Sequence, residues 1–157
     1  MSEPLHILLV EDSEDDALLL VRQLKKGGYD PQYIRVFDQQ NLDRILVSQH
    51  WDIVISDHNM PNFSSALALQ TIRKFDHDLP VIIVSGTIGE EMAVEAMRLG
   101  AQDYIMKDSL ARLVPAVERE LRESINRKSR REAEKQIHYM ANHDALTGLI
   151  NRFGFEK

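Results

Sequence analysis

The chain has 157 residues, 43% hydrophobic and 28% charged, with a formal net charge of -6 and no cysteine. That length accommodates one domain of ordinary size plus an appendage, not two full domains, and the composition reads as soluble and globular. The acidity argues against a nucleic-acid surface, the lack of thiols excludes disulfides and thiolate metal sites, and no segment approaches the roughly 20 apolar residues of a membrane span. The opening MSEPLHILLVEDSEDD has no basic stretch ahead of its short apolar run, so no signal peptide is expected. A cytoplasmic protein with neither nucleic acid nor membrane as partner is the resulting expectation.

In chain order, LHILLV at 5–10 predicts a strand, and Glu11 and Asp12 follow it. A helix is expected over 14–26, because Ser13 stands at its N-cap with Asp16 three residues on, and Gly27-Gly28 stop it. Glu14, Asp15 and Asp16 read as the favourable first turn of that helix. A strand over 32–37 and a helix over 39–49 follow, then a strand over 52–57 that ends at Asp57. The pattern continues with a helix over 64–75, a strand over 80–85 ending at Ser85, and a helix over 89–99 stopped by Gly100. A strand over 102–106 leads to Lys107, and another helix begins near 109. Met92, Ala93, Val94, Ala96, Met97 and Leu99 read as core packing of the 89–99 helix.

The runs DIVIS and VIIVS are nearly all apolar, as central strands covered on both faces should be. Strands alternating with helices predict an α/β fold, a parallel sheet with helices on both faces. Beyond Leu121 the stretch RESINRKSRREAEKQ combines strong helix formers with almost no apolar face. Ile125, Ser129, Ala133, Ile137 and Met140 form a thin stripe, read as a solvated connecting helix that pairs with its own copy as a homodimer; the alternative is a loose charged tail.

In an open parallel sheet the carboxyl ends of the strands share one edge, which would gather Glu11, Asp12, Asp57, Ser85 and Lys107 in a single crevice. Clustered carboxylates repel unless a cation joins them, and Mg²⁺ suits one or two carboxylates plus substrate phosphate. An amine and a hydroxyl would hold further phosphate oxygens, leaving Asp57 as the nucleophile that forms an aspartyl phosphate. Taken singly, Asp57 is an ordinary surface acid, Lys107 a solvated amine and Ser85 a helix cap with Thr87 as its rival hydroxyl. Tyr104 is an aromatic with a polar tip that can sit inward or outward. His58 reads as a plain loop histidine. Gly86 and Gly89 match no nucleotide-binding loop.

In order and spacing, Glu11-Asp12, the SDHNMP segment holding Asp57, Ser85-Gly86 and Lys107 resemble the receiver domain of two-component response regulators, over roughly residues 4 to 123. The resemblance implies a doubly wound, flavodoxin-like sheet of five parallel strands in the order 2-1-3-4-5, with a C-terminal helical extension. It also implies a Mg²⁺-dependent phosphoacceptor, not itself an enzyme, that takes a phosphoryl group from a histidine kinase or phosphotransfer protein. Glu11, Asp12, Asp57 and the main-chain carbonyl of Asn59 would hold the metal, Ser85 and Lys107 the phosphoryl oxygens, and Tyr104 with Thr87 would form the switch. The sequence departs from the family where Asp108, not proline, follows Lys107. A receiver-shaped binding module that works without phosphorylation is the alternative that this departure supports.

A second resemblance lies in His143-Asp144-Ala145-Leu146-Thr147-Gly148-Leu149-Ile150-Asn151-Arg152, which is similar to the opening of a GGDEF domain, the catalytic unit of diguanylate cyclases. It implies that Asn151 contacts the guanine of GTP in a complete domain, and that residues 1–157 alone do not make cyclic di-GMP. The expected organisation is a receiver over 1–123, a helical linker over 124–142 and the start of a GGDEF domain over 143–157.

Overall fold

The computed structural model describes residues 3–58, 60, 63–86 and 90–147. Five strands, β1 (Glu3–Val10), β2 (Tyr29–Val36), β3 (Ile53–Asp57), β4 (Val81–Ser85) and β5 (Asp103–Met106), alternate with α1 (Glu14–Lys26), α2 (Gln39–Leu46), α3 (Ser65–Phe75), α4 (Glu90–Arg98) and α5 (Leu113–Thr147). All strand pairs are parallel, and the order across the sheet is β2-β1-β3-β4-β5, as expected. The chain divides into two compact units, Met1–Arg122 and Glu123–Lys157. The described part of the second unit is the stretch of α5 from 123 to 147, where Ile125 is exposed.

Alternation along the central strands explains why helices cover both faces. Successive strand side chains point to opposite sides. On one side Leu8, Val10, Val54, Val81 and Ile83 pack with Leu42 and Leu46 of α2, Ala68, Leu69 and Ile72 of α3, and Ala96 of α4. On the other, Ile7, Leu9, Ile53, Ile55, Ile82 and Val84 pack with Ala17, Leu20, Val21 and Leu24 of α1 and Leu113, Ala116 and Val117 of α5. The α1 residues are spaced as one helical face requires.

The caps follow local chemistry. Ser13 Oγ accepts the Asp16 N–H at the start of α1, and Asp38 and Ser64 cap α2 and α3 in the same manner. Gly100, after α4, has φ +113, a conformation that favours glycine; a Cβ there would lie 2.9 Å from Arg73 Nε. The Arg73 guanidinium uses that space to donate to the Gly100 carbonyl from Nε and Nη2.

Most boundaries agree with expectation to within one or two residues, and three differ by more. β2 begins at Tyr29, not 32, because it is an edge strand, where Pro31 does not interrupt the ladder. α2 ends at Leu46, not 49: the Ser48 N–H and hydroxyl both donate to the Ile45 carbonyl and close the last turn. The last helix starts at Leu113, not near 109, since a 3-10 turn over Lys107–Arg112 precedes it and Ser109 has non-helical φ and ψ of -124° and 40°. The core reading of the α4 methionines also fails. Only Ala96 of α4 is buried, whereas Met92, Val94 and Met97 are 41%, 59% and 47% exposed.

Candidate functional site

The sheet order changes direction between β1 and β3: from β1 the chain crosses to β2 on one side and then returns to β3 on the other. The crevice beyond the carboxyl ends of such neighbours is the usual ligand position in open α/β sheets. Glu11 and Asp12 leave β1 there, and Asp57 is the last residue of β3. The Glu11 N–H donates to the Val36 carbonyl, and Arg35 Nη1 donates to the carbonyls of both Glu11 and Asp12 at 3.2 Å. The turn carrying the acidic pair is therefore held by backbone and arginine bonds.

Glu11, Asp12 and Asp57 each offer a carboxylate oxygen, and these oxygens lie within 4.8 Å of one another. Glu11 and Asp57 are buried and Asp12 is exposed, so the cluster opens to solvent on one side. Glu11 Oε2 accepts the Ser13 N–H, whereas Oε1 is buried without a hydrogen bond among the described residues and has the Lys107 ammonium at 3.4 Å. Burial, opposed in part by the Ser13 bond and reinforced by the nearby Asp57, pushes the Glu11 carboxyl up to about 7. A buried carboxylate oxygen short of donors, facing two other carboxylates, is a donor set that fits a hard divalent cation such as Mg²⁺.

Lys107 follows β5 and brings its ammonium to the same place. Nζ lies 2.6 Å from Asp16 Oδ2, 3.4 Å from Glu11 Oε1 and 3.5 Å from Asp57 Oδ1. Burial alone would lower the affinity of this amine for its proton. The bond to Asp16 and the charges of Glu11 and Asp57 outweigh that effect and hold it above its ordinary range.

Ser85 ends β4 and is fully buried, one residue beyond Val84, which pairs with Asp57. Tyr104 on β5 is half-buried, with its hydroxyl buried and without a hydrogen-bond partner among the described residues. Its ring meets His58 edge-on at 6.0 Å, and a 2.9 Å hydrogen bond joins His58 Nδ1 to Ser65 Oγ. His58 thus links β5 to the start of α3. Asn59, Thr87 and Asn151, also named from the sequence, lie outside the described residues.

Sequence reasoning placed Glu11, Asp12, Asp57 and Lys107 at one edge, and the fold brings them together. It missed Asp16, which had been assigned only to the first turn of α1, and Arg35, whose guanidinium secures the acidic turn. Both partnerships join residues distant in sequence, so no local pattern announces them.

Residues 7–118 match the family model described as the response regulator receiver domain. The response regulator protein FleR of Pseudomonas aeruginosa is 35% identical over 106 residues, 68% of this chain but 22% of FleR. The chemotaxis protein CheY of Treponema pallidum is 30% identical over 105 residues, covering 66% of this chain and 73% of that one. Among solved structures, a response regulator receiver domain protein from Clostridium thermocellum aligns with a TM-score of 0.65 at 26% identity, covering 80% of this chain and 97% of that one. The chain spans well under two thirds of the length of FleR.

Proposed function

The chain belongs to the response regulator receiver family, and from that premise we propose that it accepts a phosphoryl group on Asp57 and uses the modified state to regulate a GGDEF output in a longer protein. The observation that carries the first part is the convergence of Asp57, two further carboxylates and the Lys107 ammonium at the end of β1 and β3. Receiver domains bind Mg²⁺ at an acidic pocket; here Glu11, Asp12 and Asp57 would hold it. When bound, it would neutralise charge on the carboxylates and on the incoming phosphoryl oxygens.

A carboxylate oxygen of Asp57 attacks phosphorus in line with the leaving group. With a phosphohistidine donor, as in receivers phosphorylated by a histidine kinase or phosphotransfer protein, the phosphorus–nitrogen bond breaks. Its electron pair stays on the imidazole, which takes up a proton. A carboxylate nucleophile has no proton to lose in the attack, so this step calls for no general base. Lys107, a compact point charge on a flexible stem, suits a phosphoryl oxygen, and the Ser85 hydroxyl would take another. The new group adds about -1.5 to -2 charge to the crevice. Movement of Ser85 and Lys107 toward it would shift the ends of β4 and β5, and Tyr104, whose hydroxyl makes no bond among the described residues, would turn at little cost.

The GGDEF output rests on the His143–Arg152 motif, and α5, continuous from Leu113 to Thr147, would carry the signal toward it and supply a homodimer contact. No helix among the described residues is long and apolar enough to cross a membrane.

Incubation of the chain with Mg²⁺ and acetyl phosphate, followed by intact mass measurement, tests the chemistry. One added phosphoryl group is expected on the wild type and none on Asp57→Asn. Equal labelling of both, or of neither even with histidine-kinase donors, would overturn it in favour of a binding module independent of phosphate.

A further inference from the structure

Asp16 makes the shortest contact to Lys107, although it is not one of the three carboxylates grouped for a cation. At 2.6 Å it forms a charge-assisted hydrogen bond, whereas Glu11 at 3.4 Å and Asp57 at 3.5 Å are beyond ordinary bonding distance and act on the ammonium through charge. Asp16 is itself well placed to hold its position. Its N–H is capped by Ser13 Oγ, and α1 is fixed to the sheet by Ala17, Leu20, Val21 and Leu24. The lysine stem is flanked by Leu19, Leu20 and Leu110 in a small cavity that Asp16 also lines. It also passes Gly86, where an added Cβ would meet Lys107 Cδ at 3.8 Å.

We infer that Asp16 is a positioning residue for Lys107: in the unphosphorylated chain it holds the ammonium on the α1 side of the crevice, and binding of the phosphoryl group draws the ammonium away from it. The inference rests on Asp57 as the phosphoacceptor. It assigns Asp16 two linked effects. The lysine waits nearer to Asp16 than to the nucleophile, at 2.6 Å against 3.5 Å, and the modified state forms against the cost of breaking the Asp16–Lys107 bond. Whatever that bond gives the resting state is subtracted from the stability of the phosphorylated one.

Beryllofluoride, which occupies a carboxylate oxygen as a phosphoryl group does, tests this in the presence of Mg²⁺, with affinity followed by NMR. Asp16→Asn is expected to bind it about three- to tenfold more tightly than the wild type, the range for a partly exposed, charge-assisted ion pair. Loss of a negative charge would by itself favour an anion, so the same substitution is made in a Lys107→Gln background. The gain disappears there if Asp16 acts through Lys107; a gain that persists overturns the positioning role, as does unchanged affinity in Asp16→Asn alone. In the unsubstituted chain, the Asp16 carboxyl carbon resonance should shift when beryllofluoride is added, and a stationary resonance counts against the inference independently of any variant. A wild type that does not bind beryllofluoride, or an Asp57→Asn chain that binds it equally well, overturns the phosphoacceptor reading and the positioning role with it. Binding by the wild type without tightening in Asp16→Asn removes the positioning role alone.

Discussion

α1 and α4 lie on opposite faces of one sheet and are packed very differently. α1 buries four side chains, Ala17, Leu20, Val21 and Leu24, against strand residues and α5. α4 buries only Ala96, leaves Met92, Val94 and Met97 exposed, and borders a cleft of about 470 Å³ lined with Ser65, Leu69 and Leu99. Local stability follows the density of buried apolar contacts, so the site is built between a firm side and a yielding one. The firm side carries Glu11, Asp12 and Asp16, whose geometry must persist. The yielding side adjoins Tyr104, which packs against the same core as Ala96 and Leu99 and has to move in the proposed switch.

The largest test of this contrast is truncation. Leu24→Ala should cost about 2–5 kcal/mol by leaving a cavity where the side chain has no exposure, while Met97→Ala should change stability by at most about 0.5 kcal/mol. Chemical denaturation of the two variants measures the difference. A comparable loss in both would mean that α4 is as firmly seated as α1.

Next in size is a pH effect confined to the firm side. The Glu11 carboxyl, raised from 4.5 to about 7, keeps a proton in the folded chain that the unfolded chain releases earlier. Without metal, the contribution of Glu11 is therefore most favourable below about 4.5. It weakens as pH rises through the interval to 7 and is level above it, a loss on the order of 3 kcal/mol. Glu11→Gln should remove this dependence. Mg²⁺ binding should correspondingly weaken below pH 7, approaching tenfold per unit, as a proton competes for the carboxylate. Metal affinity that is flat between pH 5 and 7 would show that Glu11 is ionised throughout.

The smallest effect belongs to the yielding side. Because the Tyr104 hydroxyl is buried without a partner among the described residues, Tyr104→Phe should leave stability unchanged or raise it by up to about 1 kcal/mol. A loss of more than that would reveal a bond that anchors the ring and would weaken the case for easy rotation.

Much of this was legible in the sequence because it depends on near neighbours. The alternation of short apolar runs with amphipathic stretches determined the strand and helix order. Ser13 and Gly27 marked the limits of α1, and the polar residues at strand ends pointed to one edge of a parallel sheet. The limits of that reading are equally physical. Periodicity identifies the apolar face of a helix without setting how deeply it packs, so Met92 and Met97 were assigned to a core that α4 reaches only through Ala96. The strand expected over 32–37 begins at Tyr29 instead, because at the sheet edge Pro31 does not interrupt the ladder.

Local composition was enough to show which polar residues stand at or just beyond the strand ends, and hence that three acids and a lysine meet. Only the tertiary structure decided how the lysine is shared. Asp16 and Lys107 stand 91 residues apart, and a 2.6 Å bond between them depends on where α1 and β5 come to rest on the sheet. Local spacing carries no record of that position, because it is set by the packing of the whole core.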